Sequence, residues 1–198
     1  RILFSIRTLY IIIFLMISYV IVVNVHEFGH FIFGKLSGYK LLKYKLGIFA
    51  LELENNKYKL IIEKIKGFDG ACLMTPTKSK ISRRNSLILY SGGLIMNLIT
   101  VIIIGIIFLL RIELTWELYN FLLVLMIFSG FALINNIIPF KSYNNPNDGF
   151  IILELIKNSD ISKKLMNINI YLKKLLSGIR PKDIEELNEI VIDEENNF

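Results

Sequence analysis

Val25-His26-Glu27-Phe28-Gly29-His30-Phe31 decides how this chain is read. It has the form H-E-x-x-H and continues an apolar run that begins at Thr8. Residues four apart lie on one face of a helix, so His26 and His30 can present two imidazole nitrogens to a single metal ion. Glu27 then stands next to the ion, where it can take a proton from water. A zinc ion lowers the pKa of such water to about 7, which suits hydrolysis at neutral pH. The chain holds only two histidines, and both belong to this motif. Ionisable groups at membrane depth are expensive and are kept there by function, which sets the motif apart from a chance pentapeptide.

Working outward, the 198 residues are 54% hydrophobic with a mean hydropathy of +0.54. Charge-free runs cover residues 8–25, 85–110 and 118–140. Each is long enough to cross a bilayer as a helix, which takes about 20 residues. The expected fold class is an α-helical integral membrane protein. It has three core spans over residues 8–34, 85–110 and 118–139, a small β segment over 39–73, and a short helical tail. The spans and the β segment form one core, residues 1–158, and residues 159–198 form the tail.

The net charge of +6 is informative by position. Twelve basic residues against four acidic ones separate the first two spans, and eight more basic residues follow Phe140. The N-terminal flank offers only Arg1 and Arg7, and the second connection only Arg111. That bias puts the long first loop and the C-terminus in the cytoplasm of a multi-pass cell-membrane protein, with the motif near the cytoplasmic face. It also accounts for the lysines without a nucleic-acid partner. A lone cysteine, Cys72, excludes an internal disulfide.

Between the first and second spans the period changes to two. Leu51-Glu52-Leu53-Glu54 and Lys57-Tyr58-Lys59-Leu60 flank Asn55-Asn56, a hairpin signal, with a further strand over 39–46 and punctuation at Gly67 and Gly70. The hairpin either lies on the membrane surface or offers an open edge to an extended peptide. In the second span, Ser91, Gly92 and Gly93 allow close helix approach, and Asn97 is an intramembrane polar residue. Its two readings are an interhelical hydrogen bond and donation to a tetrahedral oxyanion. Pro139 ends the third span, and Asp148 opens an apolar helical stretch over 150–156. Asp148 either caps that helix or supplies the third ligand of a zinc site that keeps one position for water. Glu52 or Glu54 would be the alternative third ligand. In the tail, Leu165, Ile168, Tyr171, Leu172 and Leu175 describe an amphipathic helix, and Pro181 opens a second.

With these pieces in order, the chain resembles the site-2 proteases, intramembrane zinc metalloproteases that cut within or beside membrane-spanning helices. The resemblance covers residues 10–157. It rests on His26-Glu27-Phe28-Gly29-His30, on Gly93-x-x-x-Asn97, and on Asn136-Ile137-Ile138-Pro139 followed by Asp148-Gly149. It implies that His26, His30 and Asp148 ligate one zinc ion and that Glu27 is the general base. It further implies that Asn97 and Asn136 support the substrate or the transition state, and that the partners are the bilayer and a membrane-embedded or membrane-adjacent peptide. Leu94 stands where the family often has proline, Asn147 stands where leucine is common, and residues 140–147 lengthen the usual connection. The rival from another class is a membrane zinc-binding or transport protein without peptidase activity, which would place several ligand sites along a path.

Overall fold

The computed structural model describes residues 2–54, 57–63, 69–77, 82–141 and 146–176. The first helix, α1 (Ile2–Leu36), runs unbroken through the motif, so both histidines are helical. At 1.5 Å per residue its 35 residues measure about 52 Å, longer than a bilayer core. It starts earlier than the apolar run suggested and ends at Gly38, whose φ of +85° is one that glycine adopts at little cost.

Four antiparallel strands follow: β1 (Tyr39–Leu46), β2 (Phe49–Glu54), β3 (Lys57–Ile62) and β4 (Gly70–Pro76). The hairpin of β2 and β3 has the anticipated register. Leu51 faces Leu60 and Leu53 faces Tyr58 on one side, while Glu52 faces Lys59 and Glu54 faces Lys57 on the other. Cross-strand pairs of like polarity and opposite charge stabilise this register. Asn55 and Asn56 lie outside the described residues, as does Gly67. Gly70 does not punctuate an exit but begins a strand, because Gly70–Pro76 pairs with β1 from Tyr39↔Pro76 to Leu46↔Gly70. The sheet order β3-β2-β1-β4 makes β3 and β4 the edges.

Ser82 caps α2 (Arg83–Leu109) by accepting from the Asn85 amide, and Thr115 caps α3 (Trp116–Ile137) by accepting from Leu118. Three helical segments, Ile6–Leu36, Arg83–Leu109 and Trp116–Ile137, are long and apolar enough to cross a membrane. Only 17%, 22% and 11% of their most apolar stretches are buried inside the protein, so most of that apolar surface faces outward. Val22, Ile104 and Leu125 pack the three helices together. The sheet docks through Tyr39, Leu41 and Met74 onto Leu89 of α2, and the Tyr39 hydroxyl meets Ser86 Oγ at 2.8 Å. Met74 fits over Gly34, where a Cβ would strike its sulfur.

Pro139 follows the end of α3, as expected from its missing amide. A short helix, α4 (Asp148–Lys157), then turns back against α2 and α3, and α5 (Asp160–Leu176) lies against β4 and α4. Within the tail, α5 matches the expected amphipathic helix, while Pro181 and the terminal acids lie outside the described residues.

Candidate metal centre

Three elements far apart in sequence bring three donor atoms together. From α1, His26 Nε2 and His30 Nε2 lie 3.2 Å apart. From the first turn of α4, Asp148 Oδ2 lies 2.9 Å from His26 Nε2 and 3.2 Å from His30 Nε2. These are the described His, Cys, Asp and Glu side chains that could hold a metal ion as a group.

Glycines set the spacing. Gly29 and Gly92 press backbone to backbone, so a Cβ on either would come within 3.0 Å of the other helix. One turn of contact further, a Cβ on Gly93 would lie 2.5 Å from His26 Cε1. At the other side, a Cβ on Gly149 would meet the carbonyls of Asn136 and Ile137, so α4 starts flush against the end of α3. The turn into α4 is organised by Asn147, which is the N-cap. Its Oδ1 accepts from the amides of Phe140 and Phe150, both at 3.0 Å. Its Nδ2 donates to the carbonyls of Asn135 and Ile138, both at 2.7 Å. The capping reading of Asp148 is therefore replaced: Asn147 caps the helix, and the Asp148 carboxylate is free to face the histidines.

The donor set fits a metal. Ligands about 2.0–2.1 Å from a tetrahedral ion are roughly 3.3 Å from one another, slightly more than the distances here. Asp148 Oδ2 is buried without a hydrogen bond, even though two imidazoles adjoin it. Such an orphan is rare in a folded chain and fits an oxygen that serves a cation. Burial alone would raise the Asp148 carboxyl, but the neighbouring imidazoles of His26 and His30 reverse that and hold it well below the usual carboxylate range. It is therefore ionised, as a ligand must be. The Nδ1 of His30 donates to the Leu89 carbonyl at 2.9 Å, a contact that leaves Nε2 with its lone pair facing Asp148.

Glu27 stands beside this group without joining it. Its carboxylate accepts from the backbone amide of Cys72 on β4, and its Cγ lies where a Cβ on Gly70 would approach to 2.7 Å. Since β4 is an edge strand, an amide that points at Glu27 points away from β1. The side of β4 on which no described strand pairs thus faces Glu27. A cavity of about 390 Å³ opens there, lined by His26, Glu27, His30 and Asp148 and by Ala71 to Met74 of β4, with Tyr90 and Asn136 on its walls.

Of the remaining expected residues, Asn136 lines this cavity and donates to the Ala132 carbonyl at 2.9 Å. Asn97 is 0% exposed and stands behind His26, with Nδ2 at 3.1 Å from His26 Nδ1 and no share in the cavity wall. Glu52 and Glu54 are drawn to Lys43 at 3.8 Å and Lys59 at 3.2 Å, outside the cluster. Gly70 and Asn147 carry no site signal of their own in the sequence, and Cys72, which as a lone cysteine is either a ligand or a buried thiol, adjoins Glu27 and is not part of the donor group. The available clue to Asn147 was its place immediately before Asp148, where asparagine is an equally good N-cap. No family model, curated protein or solved structure matches this chain.

Proposed function

We propose that this chain is an intramembrane zinc endopeptidase of the site-2 protease type, acting on a membrane-embedded or membrane-adjacent peptide. The observation that carries the reading is the convergence of His26, His30 and Asp148 beside Glu27 in a cavity bordered by an unpaired strand edge. His26, His30 and Asp148 would hold the ion. Zinc so held supplies a Lewis acid and makes water acidic enough to lose a proton near pH 7.

The chain's own groups do the rest. Glu27, fixed between the Cys72 amide and Gly70, takes the proton from the attacking water and passes it to the departing amine. A substrate must be unwound to expose a peptide bond, and the outer edge of β4 can bind it as an added strand through main-chain groups other than the Cys72 amide, which Glu27 holds. Ala71, Cys72, Leu73 and Met74 line the cavity, so its β4 wall is apolar. Asn136 lines the same cavity, where it would adjoin a bound peptide. The charge bias of the loops favours a cytoplasm-facing cavity in a multi-pass membrane protein.

The test compares wild type with Glu27→Gln in cells and in nanodiscs, following which membrane peptides accumulate uncut while bound zinc is assayed in parallel. Loss of cleavage with zinc retained is expected. Turnover that persists in Glu27→Gln removes the mechanism. Proteoliposomes that move zinc and cut nothing would replace the peptidase by the transport reading.

A further inference from the structure

We infer that Asn97 is a positioning residue that sets the ring tautomer of His26 for metal binding, an inference that rests on the metal-centre reading above. Leu89, Gly93 and Asn97 succeed one another at intervals of four on α2 and therefore share a face. Each serves a histidine of α1: the Leu89 carbonyl holds His30 Nδ1, Gly93 leaves room for the His26 ring, and the Asn97 amide meets His26 Nδ1.

The two histidines differ in one respect. A carbonyl can only accept, so His30 carries its proton on Nδ1 and keeps a lone pair on Nε2. An amide NH₂ can only donate. With Asn97 Nδ2 toward the ring at 3.1 Å, His26 Nδ1 must accept, and its proton sits on Nε2, the atom a metal needs bare. Asn97 Oδ1 meanwhile is buried with no hydrogen-bond partner among the described residues. A half-turn of the amide exchanges its oxygen and nitrogen without displacing its neighbours. Oδ1 then accepts from Nδ1–H, Nδ2 takes the place that Oδ1 left, and His26 Nε2 presents its lone pair beside that of His30. Since Asn97 does not line the cavity, it touches neither substrate nor oxyanion. Its effect is exerted through His26.

The experiment measures zinc affinity of the full chain in detergent by chelator competition, for wild type, Asn97→Asp, Asn97→Leu and Asn97→Ala. Asn97→Asp keeps an oxygen that accepts from Nδ1–H and should bind zinc within about threefold of wild type. Asn97→Leu should bind about 10–100-fold more weakly, the loss typical of removing such a partner. Asn97→Ala, which adds no bulk, should show the same fall if the leucine variant does not fold. Because the chain has two histidines, ¹⁵N-histidine spectra resolve two rings. In zinc-loaded wild type both should carry the proton on Nδ1. Unchanged zinc affinity in the leucine and alanine variants, or a loaded His26 protonated on Nε2, overturns the role of Asn97 and leaves the metal centre standing. Wild type that binds no zinc overturns both.

Discussion

Replacing Gly93 with alanine tests the proposed centre at the point where it is most tightly built. The new Cβ would lie 2.5 Å from Cε1, 2.6 Å from Nε2 and 2.7 Å from Nδ1 of His26. Carbon and nitrogen settle about 3.5 Å apart, so the ring must retreat by roughly 1 Å. Metal-ligand distances tolerate only about ±0.2 Å, and Nε2 is itself a donor, 2.9 Å from Asp148 Oδ2. The displacement therefore removes a ligand. Losing a mere supporting partner weakens binding about 10–100-fold, so zinc affinity should fall by at least about 100-fold, or about 2.7 kcal/mol. Alanine also favours the helix over glycine by about 1 kcal/mol, which offsets the displaced ring, so the metal-free protein should keep its thermal midpoint. Chelator competition beside a thermal melt in detergent reads both quantities. Gly105→Ala and Gly130→Ala are controls, since a Cβ at either meets nothing within 4 Å. If Gly93→Ala holds zinc within threefold of wild type, or if a control loses it equally, the geometric argument fails.

Gly70→Ala presses on Val23 and on Glu27 Cγ without reaching a ligand, so peptide turnover should drop about 10–100-fold while zinc affinity stays; a parallel loss of zinc would contradict the separate role of Glu27. Asn147→Ala removes the cap and the side-chain bonds on either side of it, and at about 0.5–1.5 kcal/mol for each of the four it should lower stability by about 2–6 kcal/mol and loosen zinc binding through Asp148; an unchanged melt would count against the turn as the device that aims Asp148. Burial, with the Glu27 carboxylate adding to it, pushes the Cys72 thiol up to about 12. At pH 8 roughly one molecule in 10⁴ is then thiolate, so alkylation should be slow, rise about tenfold per pH unit from 8 to 10, and quicken in Glu27→Gln; a plateau above pH 9 would show an ordinary thiol instead. Stripping the metal should lower the thermal midpoint of wild type and leave Asp148→Ala unmoved, because a ligand bound only by the folded state at 1,000 times its Kd adds about 4 kcal/mol. A midpoint indifferent to chelator in wild type would argue against a bound ion.

What could be read in advance follows from the range of the forces involved. His26 and His30 are four residues apart in one apolar run, and helical period alone puts them together. The three long helices and the β2–β3 register are equally local, written in hydropathy and in alternation. Strand β4 escaped because glycine is a weak strand former, and its partner is not its sequence neighbour but β1, across the whole hairpin. With β4 went the free edge, and with the edge went the connection between Cys72, Gly70 and Glu27. Asn97 was visible as a polar residue in an apolar helix, but two roles fitted it until the helix crossing put it behind His26 and away from the cavity. The crossing itself is set by Gly29 against Gly92, a contact between backbones that no side-chain pattern reports.

The charge balance of the cavity accommodates a divalent ion. Its described walls carry two carboxyl groups, Glu27 and Asp148, and two imidazoles, with no lysine or arginine among them. A buried carboxylate needs compensating charge, and the groups that face Asp148 Oδ2 are the His26 and His30 Nε2 atoms at 2.9 and 3.2 Å. Without a metal an imidazolium supplies the compensating charge, His30 donating Nδ1–H to the Leu89 carbonyl and Nε2–H toward Asp148; a bound ion takes the place of that Nε2 proton. A dication held by two neutral imidazoles and Asp148 leaves a net charge of about +1, which an ionised Glu27 alongside would cancel. The same charge arithmetic makes Glu27→Gln more than a loss of base: it should leave the loaded site positively charged, so the variant should bind anionic inhibitors such as hydroxamates more tightly relative to neutral peptides, and an unchanged ratio of inhibition constants would refute it.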